Sequence, residues 1–220
     1  AGALSVTTGT TILKDNINTD GEASNQGGKI EFLSAVRLDR NIAIDTVTIV
    51  GAGDVRFAGT VNADDAATND RTLTVDAGGG TATFGGAIGG ATNGELADLD
   101  VTAANISLAG NVTVDDQGTN EISFTGAVVL AANVVLDVDG TALTDNRVRF
   151  AGAVNADDAA ANDRALTVNA GDGTAIFGSA IGGAADGALA DLDVTAAAIT
   201  LGGNVTVDDQ GGKEITFTGA

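Results

Sequence analysis

The chain has 220 residues, with 10 basic and 30 acidic side chains and a formal net charge of −20. It offers no basic stripe to phosphates, which argues against nucleic acid and anionic membrane surfaces as partners. His, Cys, Pro, Met, Trp and Tyr are all absent, which removes imidazole and thiol catalysis, disulfides, zinc ribbons and iron–sulfur clusters.

Residues 1–31 read as a part-copy of a unit that is met in full further on. No apolar run approaches a transmembrane helix, and no export signal follows Ala1, so a segment of a longer array is expected. From Phe32 a short motif recurs: Phe or Leu, any residue, Gly or Ser, any residue, Val or Ile. It stands at Phe32, Phe57, Phe84, Leu108, Phe124, Phe150, Phe177, Leu201 and Phe217 and takes in all seven phenylalanines. These nine residues are the expected structural core. Around each of them the pattern has period two. Val55, Phe57, Gly59 and Val61 share one face, as do Ile106, Leu108, Gly110, Val112 and Val114, and as do Ile122, Phe124, Gly126, Val128 and Leu130. Such alternation predicts half-buried strands. Second strands are expected at Leu73 and Val75, Leu99 and Val101, Val134 and Leu136, and Leu166 and Val168. Gly, Asn and Asp between them supply turns. Ala-rich pieces such as 63–67 are too short and too closely flanked by Asn and Gly to favour helix.

Residues 55–127 align without gaps on 148–220, and 57 of the 73 positions are identical. The motif spacings run 25, 27, 24, 16 and then 26, 27, 24, 16. Short strands at coil-length spacing, with one aromatic position per coil, predict an all-β, right-handed parallel β-solenoid (β-helix). It would be one continuous domain over 1–220, built from ~93-residue super-repeats of about four coils. The super-repeats are set at 32–123 and 124–216, with partial repeats at 1–31 and 217–220. A spacing of 16 is tight for a full coil and reads as a small coil or a half-turn. A sandwich or barrel competes, but a closed fold gives each strand a different environment, whereas the units are nearly identical. The Gly two residues after each Phe either leaves room for a neighbouring ring or marks a bend.

Segments such as Leu166-Thr-Val-Asn-Ala-Gly-Asp-Gly-Thr-Ala-Ile-Phe-Gly-Ser-Ala-Ile-Gly-Gly and Leu189-Ala-Asp-Leu-Asp-Val-Thr-Ala-Ala resemble the repeats of giant bacterial surface proteins. These are the β-strand-repeat, filamentous-haemagglutinin-like and autotransporter-adhesin-like adhesins. The resemblance spans the chain through composition and spacing. It implies an extracellular β-solenoid at the bacterial cell surface, serving as stalk, adhesin shaft or matrix filament, with no catalytic residues to carry over. Asp is unusually abundant, at 25 of the 30 acids.

Three groups of acids are candidates for chemistry. The loop Asn62-Ala-Asp64-Asp65-Ala-Ala-Thr-Asn69-Asp70-Arg71 recurs with Asp157, Asp158, Asn162, Asp163 and Arg164. Its carboxylates and amides suit calcium, which takes six to eight oxygens. The competing reading is a solvated loop of Asx turns with Arg71 paired to Asp70. Asp115 and Asp116, repeated as Asp208 and Asp209, form a second candidate, again against a plain turn closed by Gly118 or Gly211. Asp137-Val-Asp139-Gly140 resembles the start of a calcium loop but lacks its later ligands. Asp98 and Asp100 flank Leu99 on one strand. Outward carboxylate pairs do hydrolyse polysaccharides on parallel β-helices, yet the substrate-gripping Trp, Tyr and His are missing, so no enzyme is expected. Gly78–Gly80 is not followed by the Gly-Lys-Ser/Thr of a phosphate loop.

Taken together, the sequence predicts a structural extracellular repeat segment acting by length, stiffness and self-association, end to end or laterally. An adhesin holding a carbohydrate or protein partner on its outer face is the leading alternative. A calcium-dependent sheath or surface-layer subunit is the other.

Overall fold

The computed structural model of the chain describes residues 3–7, 9–19, 28–48, 51–115, 121–138, 146–208 and 214–219. Every described element is a strand, and all but one strand pair run parallel. The chain is an all-β parallel β-solenoid.

Alternating apolar residues give each strand one buried edge, and successive turns stack those edges into three ladders. The first face carries Leu4–Val6, Ile30–Phe32, Val55–Phe57, residues 82–84, 106–108 and 128–130, and Val154–Ala156. Single bridges through Ile181 and Val205 continue it. The second face carries Thr11–Leu13, Val36–Leu38, Val61–Ala63, Ile88, Val112–Thr113, Val134–Asp137, Ala165–Asn169, Asp191–Thr195 and Ile215–Thr218. The third carries Ile17–Asn18, Ile42–Asp45, residues 72–76, 98–102 and 122–125, then Arg147–Phe150, Thr174–Phe177 and Ala198–Leu201. One apolar core runs the length of the rod between them. The antiparallel exception is a spur, Val47–Thr48 against Gly51–Ala52, set between the third face and the first.

These ladders change the expected reading of the repeat. One unit, from Val55–Phe57 up to the copy that begins at Val148, holds eleven segments: 55–57, 61–63, 72–76, 82–84, 88, 98–102, 106–108, 112–113, 122–125, 128–130 and 134–137. Three faces divide eleven into three and two-thirds turns, not four. Each unit therefore starts one face away from the unit before. Phe32, Phe57, Phe84 and Leu108 share a column on the first face. Their copies Phe124, Phe150, Phe177 and Leu201 share one on the third. Phe217 lies on the second face, beside Val194. The 16-residue step from Leu108 to Phe124 is two-thirds of a turn, so Phe124 stands over Val101 and not over Leu108.

The rings form two separate stacks. Centroids lie 5.1 and 5.3 Å apart through Phe32, Phe57 and Phe84, and 5.5 and 5.1 Å apart through Phe124, Phe150 and Phe177. All six rings are fully buried. Leu201 and Phe217 were also expected in the core. They hold the inward-facing column positions, but on the uppermost turn, and both are 42% exposed because no strand lies over them.

The glycine after each Phe marks a bend. A Cβ on Gly59 would sit 2.7 Å from backbone atoms of Ser34 and Ala35 one turn below, and one on Gly110 would sit 2.5 Å from Gly86. At Gly126 the backbone has φ +139°, and a Cβ would lie 1.8 Å from the Ala103 carbonyl oxygen. The corner brings successive backbones too close for a side chain.

Candidate functional site

The acidic loops sit at corners of the rod. Val61–Ala63 runs into the first of them on leaving the second face, and Val154–Ala156 runs into its copy on leaving the first. The same loop thus points in two directions one face apart. Asp64 is not a free ligand. Arg71 grips it through both oxygens, Nε donating to Oδ1 at 2.7 Å and Nη2 to Oδ2 at 2.9 Å, and Asn69 Nδ2 donates to Oδ2 at 3.4 Å. The sequence reading had paired Arg71 with Asp70. The structure instead spans the loop from Asp64, because the guanidinium fork fits a carboxylate at the far end of the turn. Thr68 Oγ1 donates to Asp65 Oδ2 at 3.0 Å. In the copy, Arg164 holds Asp157 by two bonds of 2.8 Å, and the Ala161 amide donates to Asp158 Oδ1. The hydrogen bond from each arginine holds Asp64 and Asp157 below the usual carboxylate range. Asp70 and Asp163 are exposed. A cation at either loop would have to compete with its arginine.

Asp115 and Asp208 follow the inward-facing Val114 and Val207, and their amides donate to Leu96 and Leu189 across the turn. Asp116, Asp209, Asp139 and Gly140 lie outside the described residues. Asp137 accepts a bond from Asn169 Nδ2 at 3.3 Å. Among the described residues, no three acidic side chains converge as a group able to hold a metal ion.

Asp98 and Asp100 do sit on the outer side of their strand, but half-buried. Glu121 stands on the next turn, salt-bridged to Arg147 on the turn after that. Asp98 Oδ1 is buried with no hydrogen-bond partner. Burial first, and then the charges of Asp100 and Glu121, push the Asp98 carboxyl up to about 6. Burial also raises Asp100, with Glu121 adding to it. A raised carboxyl beside ionised ones can exchange a proton near neutrality. A groove of about 530 Å³, beside Ala159, Gly182, Asp186 and Asp208, includes neither Asp98 nor Asp100.

One class of functional residue was missed from sequence. Asparagines at the corners stitch turn to turn, their side-chain oxygens accepting backbone amides from the next turn. Asn16 accepts from Ala43, Asn62 from Ala91, Asn111 from Val135, Asn133 from Ala165 and Asn155 from Ala184, at 2.8–3.1 Å. The available signal was their recurrence just before or within strand starts in both units; it was read only as turn chemistry.

No family model, no curated protein and no solved structure matches this chain.

Proposed function

We propose that the chain is a length of extracellular shaft from a bacterial surface or matrix protein, acting by extension, stiffness and self-association. The observation that carries this reading is the rotation of the repeat. Sequence identity between units preserves the inward columns and the corner loops, yet it delivers each copy to a different face. Repetition of this kind maintains a rod and spreads its surface features around the axis. A docking site on one outer face would instead need each copy to return to that face. The shared apolar core and the inter-turn asparagines give stiffness, because each turn is held by the next. The bare turns at either end supply self-association surfaces. Surface localisation follows from the resemblance of the repeats to giant adhesins. Calcium enters the reading as an ion that would relieve repulsion along a chain of −20 charge.

The test is negative-stain imaging and sedimentation of the purified chain, with calcium and with chelator. Thin rods lengthening into filaments as concentration rises support the shaft. Filaments only in calcium would assign the acidic loops a part in it. Compact particles that never elongate, together with saturable binding to one glycan or matrix protein, would overturn it in favour of an adhesin.

A further inference from the structure

The uppermost turn and the lowest turn both present inward-facing residues to solvent. Leu201, Ile215 and Phe217 are 42%, 41% and 42% exposed, whereas their copies one unit earlier, Leu108, Ile122 and Phe124, are fully buried. The copies differ in having a further turn laid over them: Leu108 lies beneath Leu130, Ile122 beneath Val148 and Phe124 beneath Phe150. At the lowest turn Leu4 is 37% exposed, and Val6 and Ile17 are only partly covered.

We infer that a second copy of this chain seats its lowest turn on this uppermost turn, rotated by one face. The inference rests on the self-association reading and adds its register. The lowest turn climbs from Leu4–Val6 on the first face, through Thr11–Leu13 on the second, to Ile17–Asn18 on the third. The uppermost turn climbs from Ala198–Leu201 on the third face, through Val205 on the first, to Ile215–Thr218 on the second. The next step of the spiral falls on the third face. Only one rotation of the incoming copy meets all three edges at that height. It sets Leu4–Val6 over 199–201, Thr11–Leu13 over 205–207 and Ile17 over Phe217. The other two rotations leave one or two edges a full turn apart, roughly 4.8 Å too far to pair.

Charge selects the same rotation. Lys14 follows Leu13 and lies 3.7 Å from Asp39 on the turn above it. Asp208 follows Val207, so the rotated copy brings its Lys14 over Asp208 and places the ammonium between two carboxylates. The two other rotations set Lys14 over Thr218 or over Gly202, where no charge answers it. The C-terminal part carries an excess of acids, and a lysine at the incoming corner relieves it.

The chain has no cysteine, so paired thiols report the register directly. Chain carrying Lys14→Cys is mixed, under mild oxidation, with chain carrying Asp208→Cys, Thr218→Cys or Gly202→Cys. Sedimentation velocity of the unaltered chain is run over the same concentrations. The expected result is concentration-dependent association and a disulfide-linked dimer with Asp208→Cys alone. A dimer with Thr218→Cys or Gly202→Cys instead would overturn the register while leaving end-to-end association standing, as would association with no cross-link to any of the three. A chain that stays monomeric throughout overturns both.

Discussion

Removing the ring of Phe57 should be among the costliest single truncations in this rod, and the structure sets its size. The side chain is fully buried between Phe32 at 5.1 Å and Phe84 at 5.3 Å. The turns above and below cannot close over the gap. They are held at fixed spacing by backbone bonds such as Ala58 N to Phe32 O at 2.8 Å and Gly85 N to Phe57 O at 2.7 Å. Truncation of a core Phe costs about 3–5 kcal/mol, and the loss of two stacked partners puts Phe57→Ala toward the top of that range. Phe57→Leu should cost only about 1–1.5 kcal/mol, since Leu108 and Leu130 already occupy the same column. Phe217→Ala should cost under about 1 kcal/mol, because that ring faces solvent on its upper side. Urea unfolding followed by far-UV circular dichroism gives the ranking. Native-state hydrogen exchange locates the loss, since stacked turns can open segment by segment. Equal losses at Phe57 and Phe217, or a loss under about 1 kcal/mol at Phe57, would refute the picture of a closed column of stacked rings.

Gly126→Ala should be severely destabilising, by several kcal/mol, because its new Cβ meets a backbone oxygen at 1.8 Å and its φ is +139°. Gly79→Ala should be neutral or stabilise by up to about 1 kcal/mol, since nothing lies within 4 Å of its Cβ; thermal melts of the two decide it. Asn62→Ala should cost about 1–2 kcal/mol by leaving the Ala91 amide without its acceptor. Asn62→Asp keeps an acceptor and should cost less, with protection of that amide in hydrogen exchange as the readout. Asp98 makes stability depend on pH in a set direction. Its carboxyl titrates near 3.8 when unfolded and about 6 when folded. The folded chain therefore holds the proton longer, and stability falls as pH rises from about 4 to about 6 and stays low above that. Asp98→Asn should flatten that slope and raise stability at pH 7 by about 1 kcal/mol, allowing for screening at a half-exposed group. A steeper slope in Asp98→Asn would count against this assignment.

Period-two alternation and the seven phenylalanines made the strands and the core legible from sequence, because burial on a parallel ladder is decided one strand at a time. The face on which each strand lies was not legible. It depends on how many corners the chain turns between motifs, and single-residue bridges such as Ile88 and Ile181 complete a face without the alternating run that announces a strand. A count of motif residues therefore gave about four coils where the structure has three and two-thirds turns. The role of the motif glycine was open for a related reason. Room for a ring and room for a neighbouring backbone both favour glycine, and only the approach of Gly59 to Ser34 decides between them. In the acidic loops the residues were identified but the partner was not. Arg71 is adjacent to Asp70 in sequence, but the turn carries its guanidinium back to Asp64. Asparagine oxygens that reach the next turn leave no trace in a local pattern, because their partners lie 24–32 residues away.

The rotation of the repeat is the claim on which the shaft depends, and oxidative cross-linking of cysteine pairs tests it most directly. Ser107 lies beside Val129 on the first face, while Ser123 lies beside Asp100 and Arg149 on the third. The account predicts that Ser107→Cys with Val129→Cys closes an intramolecular disulfide and that Ser107→Cys with Ser123→Cys does not. The reverse result would place Phe124 over Leu108, restore four full turns per unit, and contradict it.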